Sequence, residues 1–158
     1  MKNKIIIAVS WVLVIFSMVI IFAFSSEDSN KSAQTSGTVT DVVLKPVPPE
    51  HKTPELVKKV NFSVRKLAHF SAFAMLGFFT VNAFNTTFKK RLFIFSIISF
   101  FTTVLYAVFD EIHQKFVSGR VMSLKDVIID SCGAIFGILL YLLILLIIKK
   151  VKNRKKKI

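Results

Sequence analysis

Four apolar blocks, each close to twenty residues long, decide what this chain can fold into. They run over about 5–24, 67–84, 92–109 and 127–148. A helix needs about 20 apolar residues to cross the hydrocarbon of a bilayer. Lipid offers the backbone no hydrogen-bond partner, so a spanning segment has to pair its own N–H and C=O groups. Composition supports the same class: 53% of the residues are hydrophobic and 17 are Phe. Soluble domains run at about 45–50% apolar, even with Gly counted. The expected fold is all-α, a polytopic membrane protein built as a four-transmembrane-helix bundle over residues 1–158.

The net charge of +13 suggests nucleic acid at first sight, but the cations sit in short flanks of the apolar blocks. They are Lys2 and Lys4, then Lys89, Lys90 and Arg91, then Lys149 and Lys150, then Arg154 to Lys157. This is how cytoplasmic loop charges fix topology, so no nucleic-acid partner is expected. Both termini and the 85–91 turn are then cytoplasmic, and 25–66 and 110–126 are outer loops. The tail 149–158 can also attract anionic lipid. Cys132 is the single cysteine and lies in an apolar block, where a packing role is expected. A secretory leader shares the basic start of the first block, but its apolar core is about 7–15 residues. A retained membrane helix is expected instead.

Residues 25–52 are rich in Ser and Thr and end in Pro46, Pro48 and Pro49; an extended, hydrated loop is expected there. Thr53-Pro54-Glu55 is a helix start, with a cap, Pro at the first helical position and an acid in the first turn. Leu56, Val60, Val64 and Leu67 follow at helical spacing. They predict an amphipathic helix before the second span, lying on the membrane or running into that span.

Between the third and fourth spans lies a dense polar knot. Asp110, Glu111, Asp126 and Asp130 fall within 21 residues, together with His113, Gln114 and Arg120. The topology brings the second span in from the same side through Arg65, Lys66 and His69. One end of the bundle therefore receives polar groups from three helices. Arg65 and His69 are four apart and share a face, as do Asp126 and Asp130. Gly133 and Gly137 continue the Asp130 face, and small residues at that spacing let membrane helices approach closely. A buried carboxylate needs a partner; Arg65, Arg120 and His69 are the candidates for Asp130. Lys66 is expected to be an interfacial anchor. His113 is expected on the surface, and Gln114 within the cluster. Asp110 and Glu111 are adjacent, so only one of them is expected to be central.

Several of these residues carry a resemblance. Ser63-Val64-Arg65-Lys66-Leu67-Ala68-His69-Phe70, with Gly77 beyond, resembles the second-helix motif of the VanZ-like family. Asp110-Glu111-x-x-Gln114-x-Phe116, Gly119-Arg120, Ser123-x-x-Asp126, and then Gly133 and Gly137 resemble its third-to-fourth-helix signature. Phe24-Ser25-Ser26 also matches. The chain departs from the pattern at Ser118, where Pro is frequent, and at Asp130, where Asn is usual. The resemblance implies a small bacterial integral membrane protein, with a founding member linked to teicoplanin resistance. It implies no settled catalytic activity.

The expected function is envelope protection: lower susceptibility to teicoplanin-like glycopeptides, through an outward-facing polar site. Binding is assigned to Arg65, His69, Asp110, Glu111, Gln114, Arg120, Asp126 and Asp130. The partner is a membrane lipid, a lipid-linked wall precursor or a lipoglycopeptide. The alternatives are a membrane enzyme acting on a lipid-linked substrate and an accessory protein of an envelope complex. His69, Asp110, Glu111 and Asp126 are the candidate acid–base groups. No ligand spacing among His69, Asp110, Glu111, His113 and Asp126 matches a metal motif, so no metal and no cofactor are expected.

Overall fold

The computed structural model of the protein describes residues 2–88 and 91–155. Among these the chain is helical, in the order α1 (Lys2–Ser25), α2 (Ser29–Val43), a short 3-10 turn (Pro49–His51), α3 (Pro54–Phe88), α4 (Leu92–Gln114) and α5 (Leu124–Lys155). All except α2 and the 3-10 turn are long and apolar enough to cross a membrane. Their outer faces carry large apolar side chains such as Ile15, Phe16, Phe101, Leu105 and Leu139, the surface a helix presents to lipid. The basic positions Lys89, Lys90, Lys156 and Lys157 lie outside the described residues.

The centre of the bundle is α3, which packs against α1, α2, α4 and α5; its interface with α5 is the broadest. Glycine creates that interface. A methyl at Gly77 would stand 2.7 Å from the Ala134 carbonyl oxygen. Methyls at Gly133 and Gly137 would overlap the carbonyls of Phe70 and Ala74. The backbones therefore touch, as the small-residue spacing on α5 predicted.

Polar side chains inside the spans are satisfied locally or across helices. Ser17, Thr80, Ser99 and Thr103 each donate to the carbonyl four residues before, the usual solution for a hydroxyl in an apolar helix. Across helices, Asn85 donates to the Tyr141 hydroxyl at 2.7 Å. The first span is tied in along its length. Asn82 Nδ2 donates to Ser10 Oγ at 3.0 Å, Trp11 Nε1 to Thr87 Oγ1 at 3.2 Å, and the Tyr106 hydroxyl to the Met18 carbonyl at 2.7 Å. Thus α1 is part of the bundle wall.

One sequence expectation changes and one open alternative is settled. Residues 25–52 are not an extended loop: α2 occupies Ser29–Val43, with the Asp28 side chain accepting from the Lys31 amide as its N-cap. The Ser/Thr-rich sequence has weak helical preference on its own. Tertiary contacts supply the rest: Ser36 Oγ donates to Asn61 Oδ1 at 2.8 Å, and Asn61 Nδ2 to the Ala33 carbonyl at 3.2 Å. The helix that begins after Thr53 takes one of the two courses the sequence left open and runs into the second span. Thr53 caps it, accepting from the Leu56 amide, and it continues unbroken to Phe88. Its half-buried face of Leu56, Val60 and Val64 lies on the stretch of α3 that α2 packs against.

Candidate functional site

The polar residues gather where the C-terminal ends of α1 and α4, the N-terminal end of α5 and the middle of α3 meet. Asp110, near the end of α4, is 1% exposed. Its Oδ2 accepts from Ser25 Oγ at 2.8 Å and from Gln114 Nε2 at 2.9 Å. Gln114 Nε2 also donates to Ser25 Oγ at 3.2 Å, closing a three-residue ring between α1 and α4. The next carboxylate, Glu111, is fully buried but turns the other way. Its Oε2 accepts from the Ser123 amide at 2.8 Å, pinning the loop that leads into α5.

Asp130, nearly two turns inside α5, is fully buried. The nearest basic side chain is His69 on α3, with Nδ1 3.7 Å from Asp130 Oδ1. That is too long for a hydrogen bond. Four buried carboxylate oxygens in this end of the bundle have no hydrogen-bond partner: Asp110 Oδ1, Glu111 Oε1 and both Asp130 oxygens.

Arg120 is placed by the turn before it. Gly119 has φ +71°, a left-handed conformation that costs other residues about 1–2 kcal/mol. A methyl there would also stand 2.9 Å from Ser29 Cβ. The turn docks on the start of α2, where the Ser29 amide donates to the Ser118 carbonyl at 3.2 Å. The guanidinium then reaches back over the end of α1, with Nε donating to the Glu27 carbonyl at 2.9 Å and Nη2 to the Phe24 carbonyl at 3.2 Å. Burial, and then the neighbouring Arg65, hold the Arg120 pKa below its ordinary value, against an opposing pull from Asp110, Glu27 and Glu111. A guanidinium in a protein keeps its proton regardless.

Both arginines face a cavity of about 290 Å³ between α1, α2 and α3. Ile21, Phe24, Val39, Val64 and Ala72 make its apolar walls, and Arg65, Arg120, His69, Ser25 and Glu27 supply its polar atoms. Most of the lining is apolar, with charge confined to a few groups.

The model of the VanZ/LLP1 family matches residues 10–146. The chain belongs to the VanZ/LLP1 family. No curated protein and no solved structure matches it. The matched stretch takes in all of α3 and α4, most of α1 and α5, and every residue of the candidate site. With four helices of spanning length, this VanZ/LLP1 protein is a multi-pass membrane protein.

The structure sorts the site residues that the sequence of this family member singled out. Arg65, His69 and Arg120 meet at the cavity, and Asp110 and Gln114 lie directly behind Ser25 on its wall. Asp110 and Glu111 are both buried, but Asp110 alone joins the Ser25–Gln114 network, whereas Glu111 holds the α4–α5 loop. Asp126 does not line the cavity; it pairs with Lys66. Lys66 is thus an ion-pair partner joining α3 to α5 rather than a free interfacial anchor. His113 is half-buried, stacked on Phe22 with ring centroids 4.5 Å apart and 3.1 Å from Ser26 Oγ. It is therefore not a free surface residue. Sequence reasoning missed the part α2 plays: Ser32, Thr35 and Ser36 line the cavity. The available signal was Asp28 as a cap, followed by a proline-free stretch up to Pro46.

Proposed function

We propose that this protein holds an amphiphilic anion of the cell envelope and thereby lowers susceptibility to teicoplanin-like lipoglycopeptides. The anionic group sits between Arg65 and Arg120, and the apolar part lies along Ile21, Val39 and Val64. The observation that carries this reading is the pair of guanidiniums facing one apolar-walled cavity. Neither has a carboxylate within 4.0 Å among the described residues. An anion between them relieves their repulsion and gains charge-assisted hydrogen bonds. The candidates are an envelope lipid, a lipid-linked wall precursor and the drug itself. The charge distribution favours cytoplasmic termini, and in that orientation the cavity opens toward the outer leaflet, where all three are found.

The test is drug susceptibility in a sensitive bacterial host. Expression of the wild-type protein raises the inhibitory concentration of teicoplanin several-fold, and the Arg65→Ala/Arg120→Ala protein, present in the membrane at equal level, does not. Equal protection by the two proteins would sink the proposal. A second reading, an enzyme acting on a lipid-linked substrate, is favoured by one feature: His69 stands on the cavity wall with Asp130 behind it. Lipid and wall-precursor profiles of deletion and overexpression strains test it, and unchanged profiles count against it.

A further inference from the structure

We infer that His69, Asp110 and Asp130 form a binding site for one divalent transition-metal cation, of the zinc or manganese class, at the base of the cavity. One ligand atom from each of the three lies within 4.8 Å of the other two. They come from α3, α4 and α5, so the fold rather than local sequence assembles them. Both carboxylates are essentially unexposed, and three of their four oxygens have no hydrogen-bond partner. Burying a carboxylate is costly unless it is paired or bound to a metal. No Lys or Arg lies within 4.0 Å of either carboxylate among the described residues: Lys66 is occupied by Asp126 and Arg120 by two backbone carbonyls.

The spacing fits a shared cation better than a hydrogen bond. Two donors each about 2.0–2.2 Å from one metal stand roughly 3–4 Å apart. His69 Nδ1 and Asp130 Oδ1 are 3.7 Å apart, and the full set, within 4.8 Å, has to draw together on binding. The orientation of Asp110 also fits. Ser25 and Gln114 hold its Oδ2 and leave Oδ1 without a partner, as outer hydrogen bonds fix a metal-binding carboxylate. One imidazole with two carboxylates suits zinc or manganese better than calcium, which prefers all-oxygen cages. Ser25 and His69 both line the cavity, so the site has an approach from it. Metal binding does not depend on the proposed protective role, and an anion in the cavity would find the cation beside Arg65 and Arg120.

The experiment uses the full-length protein, purified in detergent, stripped with a chelator and passed through gel filtration. Zinc and manganese are then titrated separately, with bound metal measured by elemental analysis and the thermal midpoint followed in parallel. The expected result is one equivalent of metal per chain and a midpoint raised by a few degrees. Asp130→Asn and His69→Gln weaken binding at least about tenfold, as loss of ordering or ligating groups does at metal sites. Asp41→Asn, on the exposed face of α2, leaves it unchanged. The inference is overturned if the wild-type protein retains no stoichiometric metal and shows no midpoint shift. It is equally overturned if the two site variants bind as tightly as wild type. Should either variant fail to fold, the wild-type stoichiometry and shift still decide. Drug protection that persists in metal-free wild-type protein would leave the amphiphile reading standing while this one falls.

Discussion

Ser25 is the residue whose small size conceals its position. It ends α1, is almost fully buried, and donates to Asp110 across the bundle. Replacing it with Ala removes one of the two donors to Asp110 Oδ2 while Gln114 retains the other. The expected cost is about 1 kcal/mol, read as a lower thermal midpoint in detergent. Ser25→Thr, which keeps the hydroxyl, recovers part of it. Lys66 and Asp126 make a complementary case. Their pair is partly exposed, so Lys66→Met is expected to cost at most about 1 kcal/mol and to leave metal and amphiphile binding intact. Neither pairing was legible in the sequence. The partners lie 85 and 60 positions apart, and no local spacing connects them.

At the scale of elements, the glycine seam and the Gly119 turn carry the clearest expectations. Gly137→Ala pushes a methyl into the Ala74 carbonyl. Overpacking of this kind costs about 1–3 kcal/mol, and here it separates two backbones rather than two flexible side chains. A lower thermal midpoint, with the protein still in the membrane fraction, is the expected outcome. Gly119→Ala combines a left-handed backbone with a close approach to Ser29, so it displaces Arg120 as well as destabilising the loop. Amphiphile binding should then weaken together with stability. The spans, the Thr53 cap and the α5 seam were legible because each rests on a local pattern: block length, a capping residue, spacing of small residues. The α2 helix was not, because Ser, Thr and Asn form helices weakly alone and its stability comes from Asn61 and the Ser118–Gly119 turn.

Taken as a whole, the molecule is lopsided. Its carboxylates and unsatisfied oxygens collect at one end, and the remaining length of the bundle is packed with Phe, Leu and Ile. At 35 residues, α3 is about 52 Å long, roughly 20 Å more than the hydrocarbon it crosses. Orientation is testable with single cysteines in a Cys132→Ser background. Lys45→Cys should react with a membrane-impermeant maleimide in intact cells, and Arg154→Cys only after permeabilisation. The reverse pattern would turn the cavity toward the cytoplasm and remove the link to wall precursors. The one-ended site was legible because charge-based topology placed Arg65, His69 and Asp110 together, whereas the exact partners of each charge depend on side-chain directions that no linear pattern encodes.

The contacts of Phe70 and Ala74 with Gly133 and Gly137 have a consequence for the polar end. His69 precedes Phe70, and Asp130 lies one turn before Gly133. The gap between imidazole and carboxylate is therefore gauged by main chain resting on main chain, a stop that side-chain repacking cannot shift. Gly133 works as the thickness of a shim: one added carbon would open the jaws of the site without touching anything held between them.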